Sequence, residues 1–395
     1  MKVLQMNCWF GAGSTGKIVF ALHEYLKKHN DESYVIYGLG EKSSDPNVFR
    51  TTPPLIRKCQ SLRARITGYP YGGCLWGTAA AIHYLKKIKP EVVHIHCING
   101  YMVNIYKVLE YLKKARIPTV LTNHAEFMYT GGCTHAVECE KWKTGCYSCA
   151  RIKQEHPITY FFDRTESEWK RMQRAYQGFE KLYICNVSDW VTDRAKQSPF
   201  YQGYTVITVF NGLNTDVFRY KEPEHDSKRK LRVIHVTPGF GDKIKGGEHV
   251  LEMAERVPDV EFWIVGDSNG ASTELKNVKF LGKAKTQKEL AEYYSSADVC
   301  LLTSVRETFS MVTAESLCCG TPVVGFKAGG PESIALEQYS AFVGQGDDNA
   351  LEQALKEMLN RKVSKSAISD EARKKYGEEK MCEQYSGIYR EMICD

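Results

Sequence analysis

Residues 298–332 read DVCLLTSVRETFSMVTAESLCCGTPVVGFKAGGPE, and the fold is decided here. The stretch opens on an apolar run, Val299–Leu302, of the kind that forms a parallel strand buried on both faces. A polar turn over residues 303–308 carries Glu307. Ser310 is placed to cap a helix whose first turn starts at Met311, and Glu315 falls on its second turn. Gly320, Thr321 and Pro322 end that helix, and Val323–Phe326 makes the next strand. The unit is strand, loop, helix, strand, with one carboxylate on each side of a helix N-terminus.

Such an arrangement has a chemical use. A helix N-terminus presents backbone N–H groups and the positive end of a dipole, which suits a diphosphate. An ionised carboxylate only accepts hydrogen bonds, so a Glu on either side suits the hydroxyls of sugars. A nucleotide sugar is a diphosphate with a ribose on one side and a hexose on the other. The competing reading is a surface loop with an incidental Glu and a solvated second Glu. Two Glu eight positions apart carry little alone; with the strand, the small cap residue and Gly-Gly-Pro-Glu downstream the pattern becomes specific.

The block resembles the donor-binding signature of the retaining glycosyltransferases of family 4, which have the two-domain GT-B fold. Their signature is a Glu, a short aromatic and small-residue stretch, a second Glu, then Cys-Gly-Thr-Pro-Val-Val and Gly-Gly-Pro-Glu. The resemblance implies that Glu307 holds the transferred sugar's hydroxyls and Glu315 the ribose diol. Backbone N–H groups near Ser310 and Met311 then meet the distal phosphate. Ser310 stands where the family usually has Gly. Lys245-Gly246 matches the family's diphosphate-binding Lys-Gly at a helix start. Its usual Arg partner is missing from this loop; Lys243 is the nearest substitute, though Lys brings a point charge and not a fork. Asn211 to Phe218 matches the family's domain-junction motif, with Asn214 replacing an Asp.

Composition bounds the rest. A chain of 395 residues is long enough for two domains, each with its own core. A formal charge of +6 fits an anionic substrate or membrane surface without demanding either, and no nucleic-acid partner is expected. No apolar run is long enough to span a membrane. The opening MKVLQMNCWFG is too short an apolar run for a signal peptide and reads as a first strand. Fourteen Cys then argue for a reducing compartment, so the expected location is the cytoplasm, with peripheral contact at the inner membrane face compatible with the basic surface.

Taken in order, strands and helices alternate, which predicts doubly wound parallel sheets. Strands are expected over residues 3–6, 34–37, 92–96, 118–123, 182–186 and 206–210, with helices between. Residues 11–17, GAGSTGK, match most of a P-loop, but Ile18 follows where Ser or Thr would hold magnesium. The NTPase reading is therefore disfavoured against a tight strand-to-helix turn. In the glycosyltransferase reading, Gly13 and Gly16 let backbone approach the donor phosphate. Residues 41–71 read as irregular, with Pro53, Pro54, Gly68 and Pro70 as breakers; Arg57, Lys58, Arg63 and Arg65 make them a basic solvated face, or a contact for acceptor or anionic lipid. His94 and His96 share one strand face, where a hydrogen-bonding role is favoured over metal. His124 closes the next strand, at the edge where such sheets bind ligands. The resemblance places it near the transferred sugar, with Glu126 a weaker candidate; a loop-closing hydrogen bond is the competing reading. Residues 165–176 form a basic amphipathic helix, read as a solvated face or a membrane-surface helix.

Residues 131–150, GGCTHAVECEKWKTGCYSCA, stand apart. Cys133, Cys139, Cys146 and Cys149 include a Cys-x-x-Cys, and four thiolates in a short loop can fill a tetrahedral zinc site. Four free thiols, or a redox pair, are the alternatives. The spacing favours structural zinc, with no open position for catalysis.

The expectation is an α/β protein of GT-B fold, with two Rossmann-like domains facing across a cleft. The domains are 1–210 with a Cys-rich insertion at about 130–150, a linker at 211–230, 231–375, and a helix at 376–395 bracing the first domain. By resemblance it is a hexosyltransferase using a UDP- or GDP-type sugar donor, a saccharide or lipid-linked acceptor and no catalytic metal. Lys245, Glu307 and His124 carry its chemistry, in surface polysaccharide synthesis. A nucleotide-sugar epimerase, or a zinc-containing protein without catalysis, are the alternatives.

Overall fold

The computed structural model describes residues 1–153, 159–223 and 229–394. Part of the expected linker, residues 224–228, and the last residue of the expected bracing helix lie outside them. The chain forms two compact units, Met1–Phe210 with Met381–Asp395, and Asn211–Lys380.

The first unit is built on seven parallel strands: β1 (Lys2–Trp9), β2 (Glu32–Leu39), β3 (Val48–Arg50), β4 (Val92–Ile95), β5 (Thr119–Asn123), β6 (Leu182–Asn186) and β7 (Thr205–Thr208). Their order is β3-β2-β1-β4-β5-β6-β7. The chain winds outward from β1 to β3, then crosses back to β4, so the winding reverses between β1 and β4. Residues 3–8 of β1 are all buried, as a central strand covered on both faces requires. Ile18, Leu22 and Leu26 of the helix Gly13–Lys28 pack on it from one side.

Residues 41–71, expected to be irregular, contain β3 and the helix Pro54–Thr67. The supposed breakers are its punctuation. Pro54 occupies the first turn, where a missing N–H costs nothing, and Gly68 at φ 74° ends the helix in the left-handed region. The C-terminal tail, expected as one helical run, is two helices, Lys365–Tyr376 and Glu378–Cys394.

The last of these helices completes the first unit's core. Met381, Tyr385, Tyr389 and Met392 pack with Val3, Leu22, Val92 and Val120. A buried polar chain runs through this contact. His94 Nδ1 meets the Tyr389 hydroxyl at 2.5 Å and His94 Nε2 meets Thr122 Oγ1 at 2.7 Å. Thr122 Oγ1 in turn meets the Tyr385 hydroxyl at 2.9 Å. Both ring nitrogens of His94 are thus engaged, which resolves its role as a core hydrogen-bonding group.

The second unit carries β8 (Arg232–Thr237), β9 (Glu261–Gly266), β10 (Val278–Gly282), β11 (Val299–Leu302), β12 (Val323–Phe326) and β13 (Ser340–Val343), all parallel, in the order β10-β9-β8-β11-β12-β13. Its winding reverses between β8 and β11. Val233, Phe262, Val299, Leu301 and Val324 form the sheet side of a core closed by Val250, Met253, Leu351 and Leu355 from helices. Residues 298–332 fold as expected: β11, the helix Met311–Cys318, and β12. Ser310 caps that helix, its Oγ accepting from Thr313 N at 3.3 Å. It does so at φ 75°, in the left-handed region that favours glycine.

Ser310→Gly relieves a left-handed conformation worth about 1–2 kcal/mol and loses a cap worth only a few tenths against Gly, so its Tm rises. Ser310→Ala keeps the conformation and loses the cap, so its Tm falls; a Gly variant less stable than the parent overturns the account. A second prediction concerns histidine. Burial holds His94 and His96 well below the ordinary imidazole value and pushes His124 down to about 3. All three are neutral in the folded chain at pH 7, while the unfolded chain takes up protons below pH about 6.5. Stability is therefore complete above that pH and falls as pH drops below it, by up to about 1.4 kcal/mol per pH unit for each histidine. Urea unfolding at pH 7.5 and 5.5 measures this, and equal stability at both would show that the three are not held neutral.

Candidate functional site

The second unit's strand order reverses between β8 and β11, and the carboxyl ends of strands at such a point are where sheets of this kind take ligands. The loop after β8 carries a 3₁₀ turn, Lys243–Lys245, capped by Asp242, whose Oδ1 accepts from Ile244 N at 3.1 Å. Gly246 follows at φ 63° and starts the helix Gly247–Arg256; a Cβ there would lie 2.3 Å from the Thr303 carbonyl oxygen. Only glycine lets the two loops approach this closely. Val305 N donates to the Ile244 carbonyl at 2.8 Å, and Thr303 Oγ1 donates to the Lys245 carbonyl at 2.9 Å.

Glu307 is gripped from the other side. Its N–H donates to the Ala328 carbonyl at 3.0 Å, and Gly330 N donates to the Glu307 carbonyl at 2.8 Å. The tight turn that allows this is clipped by Glu332, whose carboxylate accepts from Gly329 N at 2.8 Å and Ala328 N at 2.9 Å. Gln345 Nε2 donates to the carbonyls of Ser304 and Lys327, both at 2.9 Å, and so joins the loops after β11 and β12. Across the switch point, Lys245 Nζ and Glu307 Oε1 meet at 2.6 Å, each side chain about one-fifth exposed.

Three residues on, Ser310 and Met311 open the helix whose first-turn N–H groups have no acceptor within the helix. Glu315 lies on its next turn, with Oε2 accepting from the Tyr294 hydroxyl at 3.3 Å. Burial and the adjacent Glu315 charge push the Tyr294 phenol well up, so it stays a donor. A cation, a helix N-terminus and two carboxylates therefore share one edge of one sheet. Lys243 is exposed beside Lys245. Asn214, in place of the family's Asp, accepts from Asp216 N at 3.0 Å and Val217 N at 3.2 Å, a bond set that either residue makes.

In the first unit the P-loop resemblance dissolves: the helix starts at Gly13, so Lys17 is an exposed residue of its second turn. Gly13 sits exposed at φ 67°, with open space where a Cβ would be. Gly16 instead packs on β1, where a Cβ would lie 3.0 Å from that of Trp9. His124, just past β5, has Nε2 at 3.0 Å from His96 Nδ1, so these two neutral imidazoles share one proton-bearing contact. Glu126 is fully buried and belongs to the scaffold, not to a reacting group. It accepts from the Tyr129 hydroxyl at 2.7 Å, Ala136 N at 2.8 Å and Arg194 Nε at 2.9 Å. Arg194 lies over the rings of Trp142 and Trp190, so this buried pair anchors the Cys-rich segment.

Cys133, Cys139, Cys146 and Cys149 all line one cavity of about 200 Å³. They do not close on a point: among the described residues, the set of three potential ligands lying within 4.8 Å of one another is His23, Glu24 and Asp45. There the Lys27 ammonium already bonds Asp45 at 2.7 Å and Glu24 at 3.2 Å, so a cation is built in. Burial, then the neighbouring Cys139 and Cys149, push the Cys146 thiol up to about 12. A redox Cys-x-x-Cys needs the opposite shift.

The sequence reading missed Tyr294, Glu332 and Gln345 as supports of the site. Glu332 alone left a local sign, since a Glu three residues into a helix that starts after Gly329 can reach back to the cap.

Residues 233–361 match the family described as Glycosyl transferases group 1. WcaC of Escherichia coli K12, a glycosyl transferase assigned to colanic acid biosynthesis, is 21% identical over 99% of this chain and 100% of its own length. The D-inositol 3-phosphate glycosyltransferase of Mycobacteroides abscessus is 31% identical over 67% of this chain and 69% of its own. Among solved structures, Alr3699/HepE of Anabaena in complex with UDP-glucose superposes with a TM-score of 0.64 at 15% identity, over 99% of this chain and 100% of that one. The fold is GT-B, and the chain belongs to the group 1 glycosyl transferases.

Proposed function

We propose that this glycosyltransferase moves a hexose from a nucleoside diphosphate donor to a saccharide or lipid-linked saccharide acceptor, with retention at the anomeric carbon, in surface polysaccharide synthesis. The observation that carries the reading is the placement of Lys245 against Glu307 beside the helix end at Ser310 and Met311. In this reading Lys245 and the first-turn N–H groups take up the charge that develops on the diphosphate as its bond to the anomeric carbon breaks. Glu307 accepts from hydroxyls of the transferred hexose, and Glu315, steadied by Tyr294, accepts from the ribose diol. Retention follows when the departing phosphate oxygen takes the acceptor's proton on the face it has just left, a path that uses no carboxylate nucleophile. UDP is the base to test first, because the similar Anabaena protein was solved with UDP-glucose. The likeness to WcaC supports the polysaccharide setting.

The test combines thermal shift and turnover across UDP- and GDP-sugars. A matching donor raises the Tm of the parent. Glu307→Gln keeps nucleotide affinity and loses about 10²–10³ in kcat, Lys245→Ala loses as much in kcat, and Glu315→Ala weakens nucleotide binding about tenfold or more. NMR of the product reads the anomeric configuration, and an inverted product removes retention. Interconversion of two nucleotide sugars without acceptor marks an epimerase instead, and donor binding without any turnover marks a protein that has lost catalysis.

We also propose that Cys133, Cys139, Cys146 and Cys149 hold a structural zinc; their shared cavity supports it. Zinc there would be held by all four thiolates and would tie the segment together, with no position left open for catalysis. Metal analysis of the purified chain should find close to one zinc per molecule, absent from a Cys146→Ser, Cys149→Ser variant. A metal-free chain that takes up no zinc on reconstitution under reducing conditions sinks the idea.

A further inference from the structure

The helix Pro54–Thr67 is amphipathic in the wrong sense for a surface helix. Leu55, Cys59, Leu62 and Ile66 recur at four-, three- and four-residue steps and so share one face, and all four are exposed. Lys58 and Arg63, also exposed, flank that stripe. The helix buries only Ala64.

The stripe does not stand alone. Cys74 N donates to Gln60 Oε1 at 2.9 Å, which sets the next helix start, with Leu75 and Trp76 at 62% and 66% exposure, beside it. On the same helix, Tyr160 N donates to the Arg65 carbonyl at 2.8 Å and Arg65 donates to the Tyr160 hydroxyl at 3.0 Å. That contact brings in Phe161, 72% exposed, and Phe162. Of the twelve exposed large apolar side chains among the described residues, eight lie in residues 55–76 and 160–162. The charge is equally one-sided: residues 54–76 contain Arg57, Lys58, Arg63 and Arg65 and no Asp or Glu. The acid nearest the aromatic triplet, Asp163, is engaged by Cys149 N and Thr165 Oγ1, both at 2.6 Å.

We propose that this face of the first unit docks on a lipid bilayer bearing anionic headgroups. Outward leucines, isoleucine, tryptophan and phenylalanines enter the boundary of the acyl region, while the flanking Lys and Arg meet headgroup phosphates. A soluble polyanion accounts for the charge and leaves the apolar stripe in water. A two-fold contact with a second copy accounts for the stripe and sets like charges against each other. A bilayer satisfies both. The proposal stands apart from the donor reading, because binding to lipid needs no turnover.

The experiment is vesicle co-sedimentation of the full chain, with phosphatidylcholine alone and with about one-third phosphatidylglycerol. The parent binds the anionic vesicles at least about tenfold more strongly. Leu62→Ser with Trp76→Ser, and separately Lys58→Gln with Arg63→Gln, each lower that binding roughly tenfold at unchanged Tm, since the positions are exposed. Equal partition of the parent onto both vesicles overturns the proposal. So does anionic binding that the Leu62→Ser, Trp76→Ser variant retains in full, which marks a purely electrostatic contact with any polyanion. A parent dimer in light scattering that this variant turns into monomer, without vesicle binding, assigns the face to self-association instead.

Discussion

The backbone clamp on Glu307 is the constraint on which the geometry of the second unit's candidate site depends. Its N–H and carbonyl are both bonded to the turn at residues 328–330, while the loop that carries it also bonds the loop after β8. These bonds bring Lys245 and Glu307 to 2.6 Å across the point where the strand order reverses. A partly exposed ion pair contributes no more than about 1 kcal/mol to stability. Its significance is positional: a cation and a carboxylate are held at fixed places by the fold itself.

Glycine and its one replacement show how tightly that edge is built. Gly246 and Gly330 would each drive a Cβ to within 2.4 Å of a neighbouring loop's backbone, so both mark close approaches that the site needs. Ser310 occupies a left-handed position and stays there because its hydroxyl also serves as the cap. The substitution keeps the geometry at some cost in stability, which is the usual direction of exchange at functional turns.

The first unit depends on the chain's end. The helix Glu378–Cys394 supplies apolar residues to a core begun at Val3, and Tyr385 and Tyr389 satisfy the hydrogen-bonding groups of His94 and Thr122 inside it. Buried imidazoles tolerate such a place only when neutral. The same logic governs Glu126, which stays buried because Arg194, Tyr129 and the Ala136 N–H meet its carboxylate.

The sequence by itself determined the alternation of strand and helix, the doubly wound sheets and the central block of the candidate site. β11, its loop, the capped helix and β12 are encoded by neighbours a few residues apart: an apolar run, a hydroxyl before a helix, a Gly-Thr-Pro stop. It mistook the helix Pro54–Thr67 for a loop, because its apolar residues face outward and its Pro and Gly ends read as breaks. Only the tertiary structure decided partners. Lys245 meets Glu307 from 62 positions away, Arg194 meets Glu126 from 68, and His94 meets Tyr389 from 295. Helix caps and periodicity are properties of short stretches, whereas the burial of a charge and the choice of its partner depend on which strands become neighbours. That choice is made by the whole sheet, and no local spacing records it.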